Sequence, residues 1–546
     1  MISGGFFSKQ KQILRFFQGG NLLLFFSFLL IFSANACQTV DFLNRTGSAE
    51  KITVNVEKGG NLLTGTCAAG STVEQALQEL KVKYQPEDII TPVLSTVLSE
   101  DTTVKITSVT FEEEQKEQPI PFKSLTVQNE SIPEGETYII QAGQNGSEKI
   151  TIKSTYEDGV LVSQVTSERN VIRDAVPEIL MYGVKAEHAP IQIPGKIVYI
   201  SNGSAWLLEN TTGNRIPIVT SGDLDGRVLD LSSDGEWLLY SRKTQNDAIN
   251  SLWMLHITDW NAKPIDLRIS NVIHFAAWLP GEARRLLYST VTPQESAPGW
   301  KANNDLLFRL VSDTGMLMED ETIVQANDEG PYSWWGTEFY LSKDGRTLLY
   351  ATPGSIGKID RLTGEKKELT KIQPYEKTRS DWAWIPGVTW SSDETAAFFA
   401  FHGEIEGTTK SYDPTDFNIG KINLTDGQAA EIKSGTGLFS QPAASPLFED
   451  GSSYIAYMQT ISPLQSESSR YRIMLMDSDG GNAKAVFPLD EEDYVTPQRV
   501  IWSPTTVANQ SWIAIIYKSN IWLVNPFTGI YNQITIDQSV TKMIWK

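Results

Sequence analysis

Asp223-Leu-Asp225-Gly226 and Asp477-Ser-Asp479-Gly480 carry two carboxylates just ahead of a glycine, which is how a calcium loop begins. Neither stretch supplies the distal bidentate glutamate that would complete the loop, so both read as turns. The four histidines, His188, His256, His274 and His402, are scattered without a His-x-x-x-His pair, and the only cysteines are Cys37 and Cys67. No zinc set, and no other metal or cofactor, is expected from such spacing. No Gly-x-Ser-x-Gly elbow marks a serine hydrolase, and carboxylate pairs for glycoside cleavage cannot be picked out by spacing. What remains is aromatic chemistry. Trp300, Tyr332, Trp335, Trp382, Trp384 and Tyr412 are the candidate ligand-binding residues, with Trp334, Tyr375, Tyr494, Asp381, Asp413 and Asp416 in the same loops. Exposed rings stack on sugars or anchor protein partners, and the alternative for Trp334, Trp382 and Trp384 is packing between sheets.

The elements that must position these loops announce themselves by repetition. Seven times a tight polar turn leads into an apolar strand ending in an aromatic residue, as in Ser233-Asp-Gly-Glu-Trp-Leu-Leu-Tyr240 and Lys343-Asp-Gly-Arg-Thr-Leu-Leu-Tyr350. The closing aromatics are Tyr199, Tyr240, Tyr288, Tyr350, Phe399, Tyr457 and Tyr517. This period suits a four-stranded unit with variable loops. Asp234, Asp344 and Asp450 are expected to make local turn hydrogen bonds. The first phrase lacks a preceding strand, while an orphan strand stands at Val540-Thr-Lys-Met-Ile-Trp545. The expectation is a ring closed by that last strand, of seven units, with six or eight also compatible. The phrases resemble TolB-like and WD-repeat-like propeller repeats over residues 195–546. On that arrangement, the loops at 290–304, 402–416, 459–470, 326–335, 372–385 and 488–497 share one face, where a binding site is expected.

Lys9, Lys11 and Arg15 precede an apolar run from Leu22 to Phe32, followed by Ala34-Asn-Ala36 and Cys37. The run is too short to span a bilayer as a helix. It reads as an export signal over residues 1–36. The small residues ending at Cys37 resemble the bacterial lipoprotein box, which implies lipidation of Cys37 and a membrane anchor outside the cytoplasm; ordinary cleavage after Ala36 is the alternative. Residues 37–50 would be a tether. The net charge of −20 includes those three cations and repels phosphate backbones, so nucleic acid is not an expected partner. Cys67 is expected to be a buried, inert thiol.

Two small modules precede the repeats. Residues 51–110 read strand, turn, strand, then a helix at Thr72 to Leu80 capped by Ser71 or Thr72, then further strands. Ile52-Thr-Val-Asn-Val, Ser71-Thr-Val-Glu-Gln-Ala-Leu and Val104-Lys-Ile-Thr resemble the ubiquitin-like domain of resuscitation-promoting factors. Residues 111–186 alternate in strand fashion and resemble the G-five domain through Gly135, Gly143, Gly146, Gly159 and Gly183. Those glycines are expected at positive backbone dihedrals in a thin sheet. The resemblance implies a bacterial surface, near peptidoglycan, with either binding of N-acetylglucosamine-containing glycans or a plain spacer role. Residues 187–194 read as a stiff linker, and every tryptophan follows it. The expected protein is mainly β and non-enzymatic, binding glycans or envelope proteins; a carbohydrate-active propeller enzyme is the alternative.

Overall fold

The computed structural model describes residues 50–546 except 130–131, 185–189, 245–246, 260, 283, 313–314, 378–380, 406–415, 491 and 507–510. The described chain is almost wholly strand and divides into two compact units. One runs to Glu112 and includes Lys153–Val165; the other comprises Glu113–Ile152 and Thr166–Lys546.

In the first unit, strands Asn61–Ala68, Lys51–Lys58, Thr102–Thr107 and Ile89–Thr91 form a mixed sheet in that order. Lys51–Lys58 alternates, burying Ile52, Val54 and Val56 against Val73, Ala76 and Leu77 of the helix Val73–Glu79. Thr72 caps that helix through a capping box. Its side chain accepts from the Gln75 amide at 3.3 Å, and the Gln75 side chain accepts from the Thr72 amide at 2.9 Å. Cys67 lies in the same core, and burial pushes its thiol pKa up.

Strands Val109–Ile120, Gly146–Glu157 and Val160–Arg173 form a three-stranded sheet, with Val160–Arg173 exposed along its whole length. Of the five glycines expected at positive φ, only Gly135 (85°) and Gly159 (80°) adopt it. The other three are required by close approach. A Cβ at Gly143 would meet the Phe122 ring at 2.3 Å, at Gly146 the Arg173 carbonyl at 2.4 Å, and at Gly183 the Pro133 carbonyl at 2.0 Å.

Within the second unit, strands Ser124–Asn129, Glu178–Gly183 and Thr137–Gln141 form another small sheet. Its buried Val127, Ile179 and Met181 share one core with Ile193, Tyr199, Trp206, Leu523, Val540 and Trp545. Seven four-stranded antiparallel sheets follow among the described residues. The first has the order Arg215–Val219, Ser204–Thr211, Gln192–Ser201, Val540–Trp545, so the last strand of the chain pairs with the first strand of the repeats. The others begin at Leu224–Leu231, Ala276–Trp278, Glu338–Leu341, Val388–Trp390, Ala443–Ala444 and Ile501–Trp502, and each runs in chain order. All seven closing aromatics are buried.

The turns are built as the residue types dictate. Asp344 accepts from the Ser342 hydroxyl at 2.6 Å and the Arg346 amide at 2.9 Å; Asp234 does the same with Ser232 and Glu236, and Asp450 accepts from the Ser452 amide and hydroxyl. The next position is left-handed, supplied by Gly235, Gly345 and Gly451, and by Glu394 at φ 57° where the fifth repeat has no glycine. Tryptophans at the ends of first strands tie sheets together. The indole of Trp390 donates to the Tyr340 carbonyl of the preceding sheet at 3.0 Å, and that of Trp502 to the Ala443 carbonyl at 2.9 Å.

Candidate functional site

The loop aromatics sort into two clusters. Residues 290–304 fold as a hairpin, Val291–Pro293 against Trp300–Ala302, which turns the Trp300 ring inward. Trp300 is only 5 % exposed and lies 5.0 Å from Trp335 and 4.9 Å from His274 by ring centroid. Tyr332, at φ 52°, turns the chain so that its carbonyl accepts from the Trp335 amide at 2.9 Å. Gly336 leaves room for the histidine, since a Cβ there would meet the His274 ring at 2.6 Å. Burial holds the His274 pKa down at about 4, opposed by a hydrogen bond to the Trp335 backbone and reinforced by the charge of Arg227. Its Nε2 has no hydrogen-bond partner among the described residues.

In the second cluster Trp384, 2 % exposed, donates its indole N–H to the Leu438 carbonyl at 2.9 Å and packs on His402 and Phe417. Trp382 is half-buried beside Tyr375 and Phe439. Trp335 packs against both clusters. The structure therefore brings Trp300 and Trp335 together, and Trp382 and Trp384 into a common core, but as packing within the loops. Trp300 and Trp384 present no exposed face to a ligand. Cys37, His188, Tyr412 and Asp413 lie outside the described residues. Of the two aspartate-glycine stretches, 477–480 is a turn as expected, whereas Asp223 to Gly226 runs into the strand Leu224–Leu231, with a bulge between Leu224 and Leu229. Asp479 accepts from the Gly481 amide, Asp477 from the Asn482 side chain, and Asp223 pairs with Arg242 at 2.8 Å.

A cavity of about 840 Å³ lies where the first strands of several sheets converge. Leu229, Leu341, Trp390, Ala443, Trp502 and Ile544, from six different sheets, contribute walls. Its charged lining is Lys343, Glu394, Arg499, Lys542 and Lys546. Three of these are engaged: Lys546 pairs with Asp230 at 2.5 Å, the Lys343 ammonium donates to the Ser392 carbonyl at 2.6 Å, and Glu394 accepts from the Lys343 amide at 2.6 Å. The Arg499 guanidinium lies over the Tyr340 ring at 4.9 Å and donates to the Val388 carbonyl at 3.0 Å, leaving most of its five donors uncommitted. The Lys542 ammonium makes no hydrogen bond or ion pair among the described residues. Burial lowers its pKa, an effect opposed by Glu338, reinforced by Arg227 and opposed again by Asp225.

Sequence reasoning missed Lys542 and Arg499. The available signal was a lysine inside the otherwise apolar orphan strand Val540–Trp545, where inner-strand position puts a charge against other sheets' first strands.

No curated protein matches the chain. Among solved structures, HP0197-G5 is 24 % identical over 14 % of this chain and 99 % of its own, with a TM-score of 0.13. TolB from Acinetobacter baumannii is 11 % identical, covering 80 % of this chain and 99 % of its own at a TM-score of 0.33. An oligogalacturonate lyase in complex with manganese is 10 % identical, covering 64 % and 100 % at a TM-score of 0.36. Residues 112–185 match the family model of the G5 domain, and that segment of the chain is a G5 domain.

Proposed function

We propose that this chain is an exported envelope lipoprotein that binds its ligand, without turning it over, in the inner cavity of a closed seven-bladed β-propeller. The observation that carries the binding role is the cavity itself. Its size falls in the range of small-ligand sites, its walls mix indoles with aliphatic strands, and two of its cations lack counterions among the described residues. Seven four-stranded sheets and the pairing of Val540–Trp545 with Gln192–Ser201 support ring closure. The mixed sheet and single capped helix of residues 51–110 support a ubiquitin-like module ahead of the G5 domain. Lipid on Cys37 anchors the protein outside the cytoplasm; among the described residues no helix is long and apolar enough to cross a membrane. Peptidoglycan or other N-acetylglucosamine-containing glycans, and envelope proteins, are the partners that fit this placement. The test is a glycan and peptidoglycan-fragment array probed with the full chain in detergent. Retention of a ligand, unchanged on recovery, supports binding; cleavage of an arrayed glycan would instead favour a carbohydrate-active enzyme, and an array with no hits removes the binding reading.

A further inference from the structure

The cavity has an electrostatic character that its walls do not explain. The chain as a whole is acidic, at −20, yet the anions near Lys542 are already occupied by neutral donors. Asp225 accepts from the Asn250 side chain at 2.8 Å, the Arg227 amide at 2.9 Å and the Ser241 hydroxyl. Glu338 accepts from the Tyr340 hydroxyl at 2.5 Å. Among the cavity's own lining, Arg499 and Lys542 are in no ion pair among the described residues, while its one carboxylate, Glu394, accepts from the Lys343 amide. Lys542 lies on strand Val540–Trp545 beside strand Ile501–Trp502, which Arg499 precedes by two residues, so both cations enter one cavity from neighbouring sheets. A partly buried ammonium without a counterion is costly unless something supplies the missing charge.

We infer that the cavity takes its ligand by a carboxylate, which accepts hydrogen bonds from the Lys542 ammonium and the Arg499 guanidinium while Trp390 and Trp502 border the uncharged remainder. A guanidinium fork and an ammonium are the donors that a planar anion selects, and charge-assisted hydrogen bonds of this kind are the strong ones. The inference rests on the cavity being the binding site. Two sources of the same chemistry would fit, an acidic sugar and the free carboxyl end of a short peptide.

Calorimetry of the full chain in detergent, with D-glucuronate against D-glucose and acetyl-D-alanyl-D-alanine against its C-terminal amide, separates the sources. Binding of one acid and not its neutral counterpart is expected. Lys542→Met should weaken that binding by about ten- to hundredfold, the loss of a charged hydrogen bond, and Lys542→Arg should restore part of it. If Lys542→Met does not fold, Arg499→Gln carries the same test with the same expected direction. Equal affinity for acid and neutral probes, or acid binding that survives both variants, overturns the carboxylate assignment. Should a neutral glycan from the array bind and be displaced by Trp390→Ala while neither acid binds, the cavity remains the site and only the carboxylate inference falls. If neither acid binds and no array ligand responds to cavity variants, both fall.

Discussion

Two partly buried basic side chains, His274 and Lys542, set the pH behaviour of this protein. The His274 pKa falls from its ordinary 6.5 to about 4 in the fold, so the unfolded chain binds the extra proton between those values. Stability is therefore fully present above pH 6.5 and lost as the pH falls toward 4, by on the order of 3 kcal/mol. His274→Gln should flatten the slope of melting temperature against pH across that window; an unchanged slope would show that the imidazole is not the titrating group. Lys542 is also held below its ordinary value, so stability rises as the pH climbs from its folded pKa toward 10.5. At neutral pH, Lys542→Met should raise the melting temperature of the unliganded protein by about 1–2 °C, the shift expected from ~0.5–1 kcal/mol in a large domain. A site that binds more weakly and melts higher when its cation is removed is one kept for function at a cost in stability.

Among the elements, the repeats were legible because each one solves the same local problem. A left-handed turn position selects glycine, an aspartate two residues after a serine caps the turn, and the next strand is buried on both faces. The fifth repeat shows what the pattern leaves open. Glu394 adopts the same φ without being glycine, and its carboxylate bonds the Lys343 amide of the preceding repeat. The loop aromatics were legible as a set but not as to their role, because the hairpin Trp300–Ala302 folds back and packs its ring against His274. Whether a tryptophan stands at a rim or in a core depends on that non-local folding, which spacing does not encode. The first-strand indoles are testable in the same terms. Trp390→Phe and Trp502→Phe each keep one aromatic ring but lose the indole N–H and orphan one carbonyl of the adjacent sheet, and each should cost about 1–2 kcal/mol or more in chemical denaturation. A loss below 0.5 kcal/mol in both, on the scale where surface changes fall, would mean that these indole bonds do not hold neighbouring sheets together.

For the whole molecule, the cavity could not be found by reading along the chain, since its walls come from strands as far apart as Leu229 and Lys546. Only the pairing of the sheets assembles it. The pairing of Val540–Trp545 with Gln192–Ser201 is the part of that assembly open to direct removal. Deleting residues 540–546 strips a strand from the first sheet, takes Val540, Met543 and Trp545 out of the core shared with the G5 sheet, and bares the edge at Gln192–Ser201. The truncated protein should aggregate or melt far below its parent; equal melting would show that Val540–Trp545 adds nothing to the first sheet.

The bond between the Ser201 and Ser539 hydroxyls joins residues 338 positions apart, and the Lys196 and Lys546 backbones exchange hydrogen bonds across a longer span. During synthesis, Gln192–Ser201 emerges early and waits for its neighbour until residues 540–545 are made. At about 5–20 residues per second that interval lasts on the order of tens of seconds. Throughout it the nascent chain carries Gln192–Ser201, three of its ten residues isoleucine, with one edge paired to Ser204–Thr211 and the other bare, beside a G5 sheet whose core is still half-built. Of the seven sheets the first is thus the last to be completed, and until residues 540–545 arrive its bare edge must be kept from pairing with another chain.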